Sequence, residues 1–156
     1  MIHMDQAGFI PKCSIFNQIK LAKTIINYTE IAQEDGAIIG LDQEKAYNKV
    51  KHNYLWTTLE RFNIPPTFIK TVKALYQHAH MRVAINGILS TPFKVTQGVR
   101  QGDPLSCALF DLAIELLACE LRRNPNIHRI SIPGIEERMI TSLFADDTNL
   151  YLSKED

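Results

Sequence analysis

The chain has 156 residues, enough for one compact domain with a real core and too few for two comfortable ones. Hydrophobic residues make up 46% and charged residues 22%, which excludes disordered and fibrous classes. Seventeen basic and seventeen acidic side chains cancel to zero formal charge. That balance argues against a bulk electrostatic binder of nucleic acid and leaves a local basic patch as the open alternative.

In chain order, Ile15, Ile19, Ala22 and Ile26 recur at helical spacing and predict a helix over residues 15–33, stopped by Asp35-Gly36. Residues 37–41 follow as a strand that is apolar on both faces, the pattern of a strand in the middle of a covered sheet. Leu55, Leu59 and Phe62 mark a second helix, ended by Asn63 and the Pro65-Pro66 pair. Pro66 suits the first turn of a third helix, on which Phe68, Val72, Leu75 and Tyr76 share a stripe. Residues 81–85 and 88–95 flank Asn86-Gly87, a strong hairpin signal, with Pro92 interrupting the second arm or confining it to an edge. Asp103 and Pro104 then start a helix over residues 104–123, apolar nearly all round and so expected to be central. A short strand near residues 129–132, a Pro133-Gly134 turn and a final hairpin complete a mixed α/β pattern.

No repeat, low-complexity tract or Gly/Ser linker divides the chain, so one domain is the simplest partition. Residues 1–10 lack the basic and apolar regions of a secretory signal. The apolar stretch 105–121 is broken by Asp111, Glu115 and Glu120, which speaks against a membrane span. Cys13, Cys107 and Cys119 are odd in number and without metal-site spacing, and read as free, buried thiols. An intracellular chain, in nucleus or cytoplasm, with no membrane partner is the expectation. His52, His78 and His80 have no ligand partner at metal spacing and read as solvated or loosely packed. Arg122-Arg123 at a helix C-terminus reads first as dipole complementation.

The chemistry concentrates in two places. Asp146 and Asp147 sit between apolar runs and read as a hairpin turn carrying two carboxylates, while Asp42 ends the 37–41 strand. Paired carboxylates repel unless a cation compensates. Three of them at strand ends form an oxygen cage suited to Mg²⁺, against the plainer reading of Asp-Asp as ordinary turn chemistry. The second place is the loop 97–106, where Gly98 and Gly102 permit close backbone approach, Arg100 adds charge, and the helix start offers free amides to an anion. A glycine-rich turn that only caps the helix is the competing reading.

These residues together resemble the reverse transcriptase domain of non-LTR (LINE-type) retrotransposons. The similarity runs from Gln6-Ala7-Gly8-Phe9-Ile10-Pro11, through Leu41-Asp42-Gln43-Glu44-Lys45-Ala46-Tyr47 and the 97–106 loop, to Phe144-Ala145-Asp146-Asp147. The resemblance implies a polymerase palm, an α/β (α+β) fold with helices on one face of a small antiparallel sheet. It also implies that residues 1–156 cover this palm and part of the fingers, without thumb or N-terminal fingers. It implies an RNA-directed DNA polymerase in which Asp42, Asp146 and Asp147 are catalytic and hold two Mg²⁺ ions, with Mn²⁺ as substitute. Tyr47, Gln97, Gly98 and Arg100 would contact the nucleotide, Tyr47 as a gate against the ribose 2′-hydroxyl. Gly102 and Ala145 would contact template or primer. The implied partners are an RNA template, a DNA primer and a dNTP. Two departures stand out: Lys12-Cys13 where Gly-Arg is usual, and Asn48 where Asp is frequent. An inactive retroelement remnant and a palm-type nucleotide cyclase remain as alternatives.

Overall fold

The computed structural model describes residues 2–128, 130, 132 and 141–154. In chain order its elements are α1 (Ile15–Ala32), β1 (Gly36–Leu41), α2 (Ala46–Lys49), α3 (His52–Arg61), α4 (Pro66–Gln77), β2 (His80–Met81), β3 (Ala84–Ile85), β4 (Ile88–Leu89), β5 (Phe93–Lys94), α5 (Pro104–Arg123), β6 (Thr141–Phe144) and β7 (Asp147–Ser153). They fall into two compact units, Met1–Glu44 with Phe110–Asp156, and Lys45–Leu109.

The first unit is built on a three-stranded antiparallel sheet in the order β1-β7-β6. Gln6 adds a parallel bridge to Leu143 on the free side of β6. Helix α1 starts where the Ser14 hydroxyl accepts the Phe16 N–H at 3.3 Å, and it packs against β6. Ile25, Ile130 and Tyr151 form the core, with Leu21, Ala22, Tyr28 and Ile132 around them. Burying a side chain as large as Ile25 contributes about 1.5–3 kcal/mol. Tyr151, fully buried, keeps its hydroxyl satisfied on Ser142 at 2.8 Å. Strand β1 departs from expectation. It is exposed along its length because it is the sheet edge, paired only through β7 among the described residues.

In the second unit, α3 packs on α4, which opens with Pro66 at its first turn as expected. Asn86 (φ 49°) and Gly87 (φ 81°) make the tight turn between β3 and β4. Two positive φ angles in succession are what Asn-Gly supplies at low steric cost. The outer pair β2–β5 resumes beyond Pro92, which leaves the hairpin interrupted where the sequence indicated. Asp103 caps α5, its carboxylate accepting the Leu105 N–H at 2.9 Å.

Helix α5 is less uniformly apolar in its setting than its sequence indicates. Leu109, Ala113 and Ala118 are buried, but so are Asp111 and Glu115, while Leu117 is exposed. Arg122 explains part of this. Its guanidinium pairs with Asp5 at 2.9 Å and also with Glu115, so it neutralises buried acids rather than the helix terminus. The thiols are free, as expected, but not buried: Cys13 is exposed and the other two are half-buried. The turn expected at Pro133-Gly134, and Arg129 and Ser131 of the expected strand, lie outside the described residues. Among the described residues no helix is long and apolar enough to cross a membrane.

Candidate active site

The β1–β7 register decides where Asp42 lies. Its last pair is Leu41↔Thr148, so Asp42, next after Leu41, and Asp147, next before Thr148, lie at the same end of the sheet. The β6–β7 hairpin closes on Phe144↔Asp147, which leaves Ala145 and Asp146 as its two-residue loop. Asp42 and the adjacent pair Asp146-Asp147, far apart in sequence, thus come from one end of one sheet. Asp42 and Asp147 are exposed, Asp146 is half-exposed, and Asp42 and Asp147 line a single cavity of about 390 Å³ with Leu143 and Asn149.

The turn itself is unusual. Ala145 sits at φ 58° while Asp146 does not share a positive φ, the type II′ arrangement in which glycine normally takes the first central place. The buried Gln6 side chain holds the backbone of Ala145 on both sides. Its carbonyl oxygen accepts the Ala145 N–H at 3.0 Å, and its amide donates to the Ala145 carbonyl at 3.2 Å. Gly8 lies so close that a Cβ there would stand 2.2 Å from the Ala145 nitrogen. Gln43 reaches the Asp146 carbonyl at 3.5 Å, the long limit of a hydrogen bond. Ala145 is therefore buried beneath residues 6–8.

The remaining candidates belong to the second unit. The Val99 N–H donates to the Tyr47 carbonyl at 2.8 Å and the Gly98 N–H to the Val50 carbonyl at 2.7 Å, which brings Tyr47 and the start of the glycine loop together. Gly98 (φ 87°) is required twice over, since a Cβ would also press on the Asn48 backbone at 3.0 Å. Gln97 is exposed. Arg100 donates to the Leu75 carbonyl at 2.9 Å and lies over the Tyr76 ring, so part of its fork is spent on α4. Gly102 (φ 83°) stands open, with nothing within 4 Å of where a Cβ would be.

Sequence reasoning missed Gln6 and Gly8 as parts of the turn, because a neutral glutamine in an uncharged stretch signals no chemistry. Only the pairing with residue 145 reveals it. His52, read as solvated or loosely packed, instead bonds the Gly98 carbonyl at 3.0 Å, with its ring tilted against Trp56 and edge-to-face with Tyr76.

The donors suit a hard cation: solvent-facing carboxylate oxygens on a rigid strand end. Among the described residues no three His, Cys, Asp or Glu side chains are gathered tightly enough to hold an ion unaided. Mg²⁺ does not require that. It is commonly held by one or two carboxylates, with water and substrate phosphate completing its shell.

The whole chain, residues 1–156, matches the family model described as Reverse transcriptase (RNA-dependent DNA polymerase). It is 35% identical over 150 residues to the Transposon TX1 uncharacterized 149 kDa protein of Xenopus laevis, covering 96% of this chain and 11% of that protein. Over 148 residues it is 28% identical to the retrovirus-related Pol polyprotein from type-2 retrotransposable element R2DM of Drosophila melanogaster, covering 94% of this chain and 13% of the relative. The chain thus spans little more than a tenth of these relatives. The structure of telomerase from Candida tropicalis, solved with a TWJ fragment of telomeric RNA, superposes with a TM-score of 0.66 at 15% identity. That match covers 99% of this chain and 26% of the telomerase chain, and it shows a shared polymerase palm fold. The retrotransposon resemblance read from the motifs agrees with these relatives. The chain belongs to the reverse transcriptase (RNA-dependent DNA polymerase) family.

Proposed function

We propose that this chain is the palm, with part of the fingers, of an RNA-directed DNA polymerase that joins a dNTP to a primer 3′-hydroxyl. The observation that supports the reading is the β1–β7 register, which ends at Leu41↔Thr148 and so brings Asp42 and Asp147 to one end of the sheet, lining one cavity, with Asp146 in the adjoining loop. Asp42, Asp146 and Asp147 would hold two Mg²⁺ ions, or Mn²⁺ in their place. Bound there, the ions neutralise charge on the phosphates and favour ionisation of the attacking hydroxyl. The protein's own share is positioning, which dominates phosphoryl-type transfer. Opposite strands fix Asp42 and Asp147, and the braced turn fixes Asp146. In the second unit, Tyr47 would meet the sugar of the incoming nucleotide, and Gln97 and Gly98 its base or phosphates. Arg100 would use the donors left over from Leu75. Gly102 would lie along the template strand and Ala145 beneath the primer end.

RNA as template is supported by the retrotransposon relatives and by the telomerase structure, which holds RNA. The test is primer extension on an RNA template with Mg²⁺ or Mn²⁺. We expect short extension products from the chain. Asp146→Ala should lower the rate about a thousandfold, or roughly 4 kcal/mol of lost transition-state stabilisation. No extension with either ion would sink the reading as an active polymerase, and an unaffected Asp146→Ala would sink the site.

A further inference from the structure

We propose that Gln6 is a positioning residue of the carboxylate turn, fixing the two peptides that flank Ala145 and through them the directions in which Asp146 and Asp147 leave the backbone. Its functional meaning rests on the metal-site reading above. Its structural basis does not.

Gln6 is 1% exposed and every polar atom of its side chain is used on this turn or beside it. Its oxygen accepts two N–H groups, from Ala145 at 3.0 Å and from Gly8 at 2.7 Å. Its nitrogen donates to the Ala145 carbonyl at 3.2 Å. Reversing the amide would set donors against donors, so the partners themselves fix its orientation. Both backbone polar groups of one residue, and so the two peptides that flank it, are thus gripped by one side chain from 139 positions away.

The grip matters because the turn has two reasons to relax. Ala145 is in the left-handed region at φ 58°, which a residue with a Cβ keeps only when its surroundings hold it there. Asp146 and Asp147 are adjacent like charges, which gain by swinging apart. A neutral glutamine answers both without entering the electrostatics. A lysine or arginine there would compete with a cation for the carboxylates. A glutamate would add a negative charge and lose the donor for the Ala145 carbonyl.

The residues around Gln6 keep it from following the turn if the turn moves. The Leu143 N–H donates to the Asp5 carbonyl at 2.8 Å, and the Ala7 N–H donates to the Leu143 carbonyl at 2.9 Å. The Asp5 carboxylate accepts from Thr141 at 2.6 Å and Arg122 at 2.9 Å. Residues 5–8 are therefore an anchored strip alongside β6, and Gln6 is the arm that reaches from it to the loop.

The experiment compares the parent chain with Gln6→Met, which keeps volume and loses all three hydrogen bonds, and with Ile25→Val, a core control remote from the turn. Two readouts are taken below any melting transition: amide hydrogen exchange over residues 144–148 against 150–153, and Mn²⁺ affinity by electron paramagnetic resonance. For Gln6→Met we expect exchange at 144–148 to quicken about fivefold or more while 150–153 stays slow. We also expect Mn²⁺ affinity to fall about tenfold, as when a group supporting metal ligands is removed. Ile25→Val should change neither selectively. If Gln6→Met does not fold, Gln6→Asn replaces it, a neutral amide one methylene too short to reach the turn, with the same two signatures expected. Unchanged exchange at the turn overturns the positioning role outright. Loosened exchange with unaltered Mn²⁺ affinity overturns its link to the metal. A parent that binds no Mn²⁺, or binds it equally well as Asp146→Asn, overturns the metal-site reading, and that link with it. The exchange data still decide the grip on the turn.

Discussion

The two compact units carry opposite charge. Lys45–Leu109 holds nine lysines and arginines against two acids, whereas the other unit holds eight against fifteen. The formal zero of the whole chain is the cancellation of about equal and opposite fields. A partner in solution does not sample that sum, because charges beyond roughly 8 Å are screened at physiological salt. It responds to the charges nearest to it. Zero net charge therefore hides one unit with a basic excess, where a local basic patch remains open. The acidic excess sits where three carboxylates would need a cation, the basic excess where a polyanion would need neutralising.

The acidic unit is most sensitive at its frame, where residues 5–8 meet β6 and the turn. Gly8→Ala places a methyl carbon 2.2 Å from the Ala145 nitrogen and 2.8 Å from its Cα. Backbone atoms cannot rotate away as a side-chain tip can, so the strip or the turn must shift. We expect a loss of at least about 3 kcal/mol in urea unfolding. A midpoint equal to the parent's would mean that residues 5–8 are not seated on β6.

A smaller effect tests the acidic unit's internal crowding. Burial first, and the neighbouring Glu115 second, push the Asp111 carboxyl up from 3.8 to about 7. One of its oxygens has no hydrogen-bond partner among the described residues. A folded pKa above the unfolded one means that the protonated form is favoured by folding. The contribution is complete below the unfolded value and disappears as pH rises from about 4 through 7. Stability should therefore fall with pH in that window by up to about 1.4 kcal/mol per unit. Asp111→Asn should flatten the slope there. An equally steep profile in the variant would move the cause to another acid.

Much of this architecture was legible because local chemistry and final structure agree. Ile15–Ala32, Pro66–Gln77, the Asn86-Gly87 turn and the Asp103-Pro104 helix start each follow from periodicity or a cap. The turn was legible too but one residue off: Asp-Asp between apolar runs marks it, whereas the loop is Ala145-Asp146 and Asp147 already opens β7. What periodicity could not supply was the neighbourhood. Strand β1 reads as central and is an edge; His52 reads as idle and holds Gly98; Arg122 reads as a helix-end charge and holds Asp5. Gln6 lies furthest beyond the sequence pattern, because its role exists only through contacts with a turn 139 positions later. Charge segregation escaped for a related reason: the acidic unit is assembled from both ends of the chain.

The gentlest test concerns the basic unit. Lys51 and Lys94 line a cavity of about 580 Å³ beside His52 and Trp56. Lys73 shares it but is already tied to Glu60 at 3.3 Å, so Lys51 and Lys94 are the better phosphate ligands. On single-stranded RNA, each lysine that neutralises a phosphate contributes about 0.7 to the slope of log affinity against log salt. Lys51→Gln with Lys94→Gln should therefore flatten that slope by up to about 1.4, with modest loss of affinity at low salt. The matched control is Lys12→Gln with Lys20→Gln in the acidic unit, which removes the same charge from the chain as a whole. If net charge governed binding, both pairs would flatten the slope alike. If the basic unit governs it, only the first pair will, and a titration of each double variant across salt concentrations tells the two apart.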